Sequence, residues 1–222
     1  MFSDGLISQP IMVILSFAFL TLIPFFFVTV TSFIKFTAVF SIMRSALGTP
    51  QIPPNIVVTS LALILTGIIM MPVGMEIQLR FEQNGMHWQD ILEFQVNNES
   101  IGVFWDCFKD PVSAFLIRHV HEKEWMMIAE IASKFRGCEL DRENFFILAA
   151  AFILSELKEA FQIGFLIFLP FIVIDMIVAN ILQSLGMVML SPSTISLPFK
   201  LLLFVLADGW YLVVEGLLSG YL

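Results

Sequence analysis

The stretch AAAFILSELKEAFQIGFLIFLPFIVIDMIVANILQSLGMVMLSP, Ala149 to Pro192, decides the fold. It is almost wholly apolar, yet Glu156, Lys158, Glu159 and Asp175 lie inside it. An ionisable side chain facing lipid at mid-helix costs at least about 2.5–3.5 kcal/mol. Three carboxylates and one ammonium in a single segment therefore argue against a helix bathed in lipid on every side. They must face a partner helix, a water-filled path or each other. At helical pitch Asp175, Ala179, Gln183 and Gly186 fall within about 80° of one another, a small and polar stripe among bulky Ile, Val and Leu. The stretch has the pattern of a lining within an assembly, covered by sister subunits and not by hydrocarbon.

The rest of the chain fits a membrane protein. Of its 222 residues 58% are hydrophobic and 14% charged, with 24 Phe and a mean hydropathy of +0.90. Soluble domains carry about 25% charged residues. The net charge is −8, and Glu76 to Glu143 alone holds 13 acidic and 7 basic residues. That balance excludes nucleic acid as a partner, which requires a basic surface. Met1 to Pro10 has no Lys or Arg, so the first apolar run is expected to be a retained helix and not a cleaved signal.

Working outward, Gly5 to Ile34 is uncharged and long enough for one span of about 20 residues, with a bend expected at Pro24. Lys35 and Arg44 follow with no acid between them. Ala46 to Asn55 is turn chemistry, a glycine stop followed by prolines. Ile56 to Met75 is a second uncharged run, expected to end near Pro72 and Gly74. Beyond it the composition becomes ordinary. Trp88, Ile91, Leu92 and Val96 mark a short amphipathic helix. Asp110-Pro111 has the form of an N-cap and first turn, opening a helix through Phe115, Leu116 and Val120. A further helix is expected from Glu122, with Trp125, Ile128, Ala129 and Ala132 at helical spacing.

Lys35 and Arg44 in a first loop would place that loop in the cytoplasm and the acidic middle part in the periplasm. Cys107 and Cys138, the only cysteines, both lie in that part. They are either a disulfide, closing a loop of about 32 residues and contributing roughly 3–4 kcal/mol on the loop-entropy account, or two buried thiols. Lys200, Asp208 and Glu215 sit within the last apolar segment. Lys200 and Asp208 are about 12 Å apart along a helix, too far to touch. Lys200 is expected either to pair with a carboxylate on a neighbouring helix, Glu156 first among them, or to snorkel at a membrane edge.

The segments SFIKFTAVFSIMRSALGTPQIPPN (Ser32 to Asn55), AAFILSELKEAFQIGF (Ala150 to Phe165), LPFIVIDMIVANIL (Leu169 to Leu182) and LGMVMLSPSTISLPFKLLLFVLADGW (Leu185 to Trp210) resemble the FliP/SctR family. These are export-gate proteins of flagellar and virulence-associated type III secretion. The match runs through both membrane halves in the family's order and is loose in the middle part. It implies an all-α membrane protein of helical hairpins with kinked apolar helices and a small helical extramembrane domain. Its divisions would be an N-terminal membrane hairpin over 1–76, a helical periplasmic domain over 77–143, and a C-terminal membrane hairpin with pore-lining segment over 144–222. Hydropathy alone would give four ordinary spans. The resemblance instead implies steep hairpins wound into a tube around a pore, raised above the bacterial inner membrane.

The implied partners are copies of the chain itself, five in the family, with a small two-helix gate subunit, a larger gate subunit and unfolded secreted proteins in transit. The resemblance further implies a pore gasket at Met187, Val188 and Met189, where valine interrupts the family's methionine run. Without it these residues would be core filler. Glu156, Asp175, Lys200 and Asp208 match the family's motif positions, while Lys158 and Glu159 fall where the motif is permissive. The charged residues set assembly geometry between subunits, or pair within one hairpin.

Three functions remain to be weighed. The first is a non-enzymatic channel subunit, of the injectisome or alternatively of the flagellar gate. The second is an ion or proton transporter with Asp175 and Glu156 as relays. The third is an enzyme, which little supports. There is no phosphate-binding glycine loop, and no cofactor is expected. His119 and His121, with Glu122 and Glu124, suggest a metal only weakly, since an i,i+2 pair points to different helical faces.

Overall fold

A computed structural model describes residues 21–22, 24–49, 51–85, 98–136, 144–187 and 189–222. Most of the first apolar run, the amphipathic helix expected around Trp88 to Val96, Cys138 and Val188 lie outside the described residues. The described chain is all helix and turn, with no strand. In order, the helices are α1 (Pro24–Val30), α2 (Phe33–Leu47), α3 (Asn55–Gln83), α4 (Asn98–His119), α5 (Glu122–Arg136), α6 (Phe145–Ser184), α7 (Pro192–Leu206) and α8 (Gly209–Ser219).

The first break differs from the expectation. The chain bends by 82° between α1 and α2, beyond Pro24. The bend sits at Thr31-Ser32. Thr29 and Thr31 donate their hydroxyls to the carbonyls of Phe26 and Phe27, both at 2.8 Å. Such side-chain bonds compete with the helical ladder and end it locally. At its other end α2 closes as the glycine predicted: Gly48 has φ 78°, with its N–H on Ser45 O and that of Thr49 on Arg44 O. This is a Schellman stop. Arg44 then ties the proline turn down, donating to Pro53 O at 3.1 Å and Asn55 Oδ1 at 2.6 Å.

α3 corrects a boundary. It runs for 29 residues straight through Pro72 and Gly74, stopping at Gln83. Proline removes one ladder bond, but packing holds the helix past it: Val73 and Phe81 are buried, and Arg80 reaches Asp110 of α4 at 2.7 Å. The same contact explains a second correction. Asp110-Pro111 does not open a helix; it lies in the interior of the 22-residue α4. Asp110 serves as an ion-pair partner, and Pro111 is fully buried beside Val112, Phe115 and Leu116. α4 and α5 do not stand off from the membrane-type helices. α4 packs on α3 and α6, and α5 packs on α6.

α6 is the spine. Asn144 caps it, accepting from the Ile147 N–H, and it continues for 40 residues through Pro170. At 1.5 Å per residue it is about 60 Å long, twice the hydrocarbon thickness of about 30 Å. One helix therefore serves both a membrane-type segment and the part that α4 and α5 cover. α3 and α6 are long and apolar enough to cross a membrane. If each of the bent pairs α1–α2 and α7–α8, the latter turned by 60°, is one span, the described residues hold up to four candidate spans.

The core sits where α2 crosses α6. Phe36, Val39, Phe40 and Met43 recur at i, i+3, i+4 and i+7, and all four are wholly buried. They meet Ala160 and Phe171 of α6, Ala62 and Leu65 of α3, and Leu217 of α8. Gly164 makes the crossing close. A Cβ there would lie 2.6 Å from Ile42 Cδ1 and 2.8 Å from its Cγ2.

Candidate gating and assembly site

Two buried ion-pair centres and one exposed loop gather the residues singled out from sequence. The first centre lies at the α2–α6 crossing. Glu156 is wholly buried. Its Oε1 is 3.1 Å from Lys35 Nζ, and its Oε2 accepts the hydroxyl of Tyr221. Lys35, itself 2% exposed, also reaches Glu159 Oε2 at 2.6 Å and lies 3.9 Å from the centre of the Tyr221 ring. The ammonium thus has two carboxylates and an aromatic face, the compensation a buried cation requires. Burial, then the charge of Glu156, pushes the Tyr221 phenol well above its usual range, so it remains a donor.

The second centre joins α6 to α7. Lys200 Nζ lies 2.6 Å from Asp175 Oδ2 and donates to Ala46 O at 3.2 Å, while Ser196 donates to Asp175 Oδ1. Lys200 and Ser196 are one helical turn apart on α7 and so face Asp175 together. The expected Lys200–Glu156 pair is therefore not formed; each has a different partner. Lys200 is also only 4% exposed, so it does not snorkel. Of the small polar stripe, Asp175 and Ala179 are half-buried, whereas Gln183 and Gly186 are exposed.

This arrangement corrects one inference from composition. Lys35, Glu156, Glu159, Asp175 and Lys200 all find counter-charges within one chain, so these charges do not by themselves demand sister subunits. Lys35 also lies within a helix and is neutralised, so it is not a loop cation that could orient the chain. Asp208 is different: it sits at the α7–α8 bend with φ 50°, exposed and in no ion pair with any described residue. Aspartate tolerates that left-handed geometry better than most residues.

The third element is the turn between α6 and α7. Met187 is 47% exposed and Met189 is 99% exposed, with Leu190 exposed beside them. Neither methionine fills the core, and Ser191-Pro192 starts the next helix immediately after. On α4, Cys107 is a buried free thiol whose sulfur accepts from Asn84 Nδ2 at 3.4 Å.

His121, from sequence only a weak metal candidate, reaches Glu159 Oε1 at 2.8 Å through Nε2, and its Nδ1 lies 3.7 Å from Glu124 Oε2. Lys158 pairs with Glu124 at 2.7 Å, and that hydrogen bond holds the Glu124 carboxyl below its ordinary value. Sequence reasoning named Lys35 and His121 without their carboxylate partners and missed Ser196 and Tyr221. For Lys35 a signal existed: a lone lysine between two apolar runs is as costly in lipid as Glu156.

The FliP family model matches residues 16–217. The chain is 44% identical over 219 residues to Yop proteins translocation protein R of Yersinia pestis, covering 97% of this chain and 98% of that one. It is 38% identical over 206 residues to the hypersensitivity response secretion protein HrcR of Ralstonia nicotianae, with 91% and 93% covered. It is 44% identical over 203 residues to the flagellar biosynthetic protein FliP of Cereibacter sphaeroides, with 91% and 64% covered. With a family model spanning nearly the whole chain, and relatives similar along most of their own length, the chain belongs to the FliP family.

Proposed function

We propose that the chain is a structural subunit of a type III secretion export gate in the bacterial inner membrane. Together with further copies of itself and other gate subunits it forms the pore through which unfolded proteins pass. The observation that carries this reading is the α6–α7 turn. Met187 and Met189 lie outside the chain's own core, at the end of a helix about 60 Å long. Methionine is unbranched and easily repacked, so a ring of such loops can close a hole and yield to a passing chain. The long apolar faces support the same reading. Phe165, Val173, Ile177 and Ile181 of α6 are more than half exposed in the single chain, a surface for sister subunits or lipid to cover. The role is positional and not catalytic, so the driving energy comes from elsewhere in the machine.

The test is ion conductance of the assembled complex in planar bilayers. Replacing Met187 and Met189 with alanine should raise leak while leaving the subunit stoichiometry, read by native mass spectrometry, unchanged. Unaltered conductance would remove the gasket role. The 44% identity to a flagellar relative favours a second reading, a subunit of the flagellar gate. Complementation of the two kinds of deletion strain separates these readings. A proton relay through Asp175 and Glu156 is separated by their Asn and Gln variants: a structural role predicts failed assembly, a relay predicts intact assembly with lost flux.

A further inference from the structure

The corner between α4 and α5 rests on α6 through a cluster whose charge is left open by one proton. Two lysines, Lys35 and Lys158, face three carboxylates, Glu124, Glu156 and Glu159. The remaining group is His121, whose second ring proton adds one positive charge to the cluster. Its backbone N–H donates to Ser155 Oγ at 3.0 Å, which fixes the ring's approach to α6. Both ring nitrogens then point at carboxylates, Nε2 to Glu159 at 2.8 Å and Nδ1 to Glu124 at 3.7 Å. A neutral imidazole has one N–H and one lone pair, so it serves only one of the two. Glu124 Oε2 is buried with no hydrogen-bond partner among the described residues; a second ring proton would lie within ion-pair distance of it.

We propose that His121 is a proton-operated latch, which holds the α4–α5 corner on α6 when charged and loosens it when neutral. The charged and titratable groups around it are Lys35 from α2, Lys158, Glu156 and Glu159 from α6, Glu124 from α5, and Tyr221 from the C-terminal turn. Histidine is the side chain whose ordinary charge change falls between pH 5 and 8. His119 is the other histidine nearby. Its Nδ1 lies 2.8 Å from Phe115 O and its ring packs 5.2 Å from that of Tyr221, so it faces away from both carboxylates of the latch. The sign follows from the geometry. The docked state binds the proton between two carboxylates, so docking strengthens as pH falls from 8 toward 5 and weakens as it rises. Below the glutamate range the carboxylates themselves neutralise, and docking weakens again.

Hydrogen exchange of the full-length protein in detergent tests this, followed on peptides covering residues 120–136 and corrected for the chemical pH dependence of exchange. Wild-type α5 should be about five- to tenfold more protected at pH 5.5 than at pH 8, the scale of one charge-assisted hydrogen bond. His121→Gln should flatten the profile at the low level, and His121→Arg should flatten it at the high level. Glu159→Gln keeps an acceptor for the neutral ring and so remains informative if His121 variants misfold; it should shrink the pH effect. His119→Gln should leave the effect intact. A His121→Gln profile equal to wild type, a flat wild-type profile, or loss of the effect in His119→Gln would each overturn the latch.

Discussion

Replacing Lys35 with methionine isolates the energetics of the α2–α6 crossing. The side chain is 2% exposed, and methionine is close to the lysine stem in length, so packing against Phe36 and Tyr221 is largely kept. What disappears is, among the described residues, the only cation within reach of Glu156, leaving a wholly buried carboxylate with the Tyr221 hydroxyl as its one donor there. Glu159 is less affected, because His121 remains at 2.8 Å. Breaking a buried pair from one side costs about 3–5 kcal/mol, mostly the penalty of the stranded charge. For a chain of this size each kcal/mol lowers the melting midpoint by about 2–4 °C, so Lys35→Met should lower it by about 6–20 °C. Thermal unfolding of the detergent-solubilised protein, followed by size-exclusion fluorescence, measures this. The reasoning also requires a rescue. Adding Glu156→Met removes the stranded charge, and apolar replacement of a whole buried pair is often neutral, so the double variant should recover at least half of the loss. A Lys35→Met midpoint within about 2 °C of wild type, or a double variant no more stable than the single, would refute the account.

Further outcomes follow from the same contacts. Gly164→Ala places a methyl against Ile42 and should destabilise by about 1–3 kcal/mol through overpacking; adding Ile42→Ala should restore most of it, read by the same melt. Lys200→Met strands Asp175 and frees α7 from α6, so proteolytic cleavage near Ser191 should accelerate. Lys200→Met with Asp175→Asn should slow it again, and equal rates in both would exclude the pairing. For Glu124, the folded-state carboxyl is held below its ordinary 4.5 by the Lys158 hydrogen bond. Its contribution to docking α5 is therefore complete above that value and lost as pH falls through the folded-state value. Glu124→Gln should remove this acid-side loss from an α5 exchange profile taken between pH 5 and 3.

The sequence carried much of the outline because the deciding forces are local. Run lengths and the scarcity of charge dictate apolar helices, and Gly48 followed by Pro50, Pro53 and Pro54 dictates a stop whatever surrounds it. Phe36, Val39, Phe40 and Met43 write the buried face of α2 in their spacing. The prolines show where locality ends. Pro72 and Pro111 each remove a ladder bond, and by local chemistry alone each would mark a helix boundary. The burial of Val73, Phe81 and Val112, with Pro111 itself, outweighs that bond, so both helices continue. At the first bend the break lies beyond the proline: Pro24 is followed by helix, and the hydroxyls of Thr29 and Thr31, five and seven residues later, compete with the ladder.

The charges divide in the same way. That Glu156, Asp175 and Lys200 must be compensated follows from the cost of a bare ion among apolar side chains, which needs no structure to state. Which group compensates which depends on where helices cross, and crossing is a property of surfaces brought together from distant parts of the chain. Gly164 lets α2 lie close on α6, which puts Lys35, and not Lys200, beside Glu156. Ser196 and Lys200 on successive turns of α7 then claim Asp175. Composition thus determined that this is a helical membrane protein with buried ions, while the packing of α2, α6 and α7 decided which ions meet, because partner choice depends on distances that no local pattern encodes.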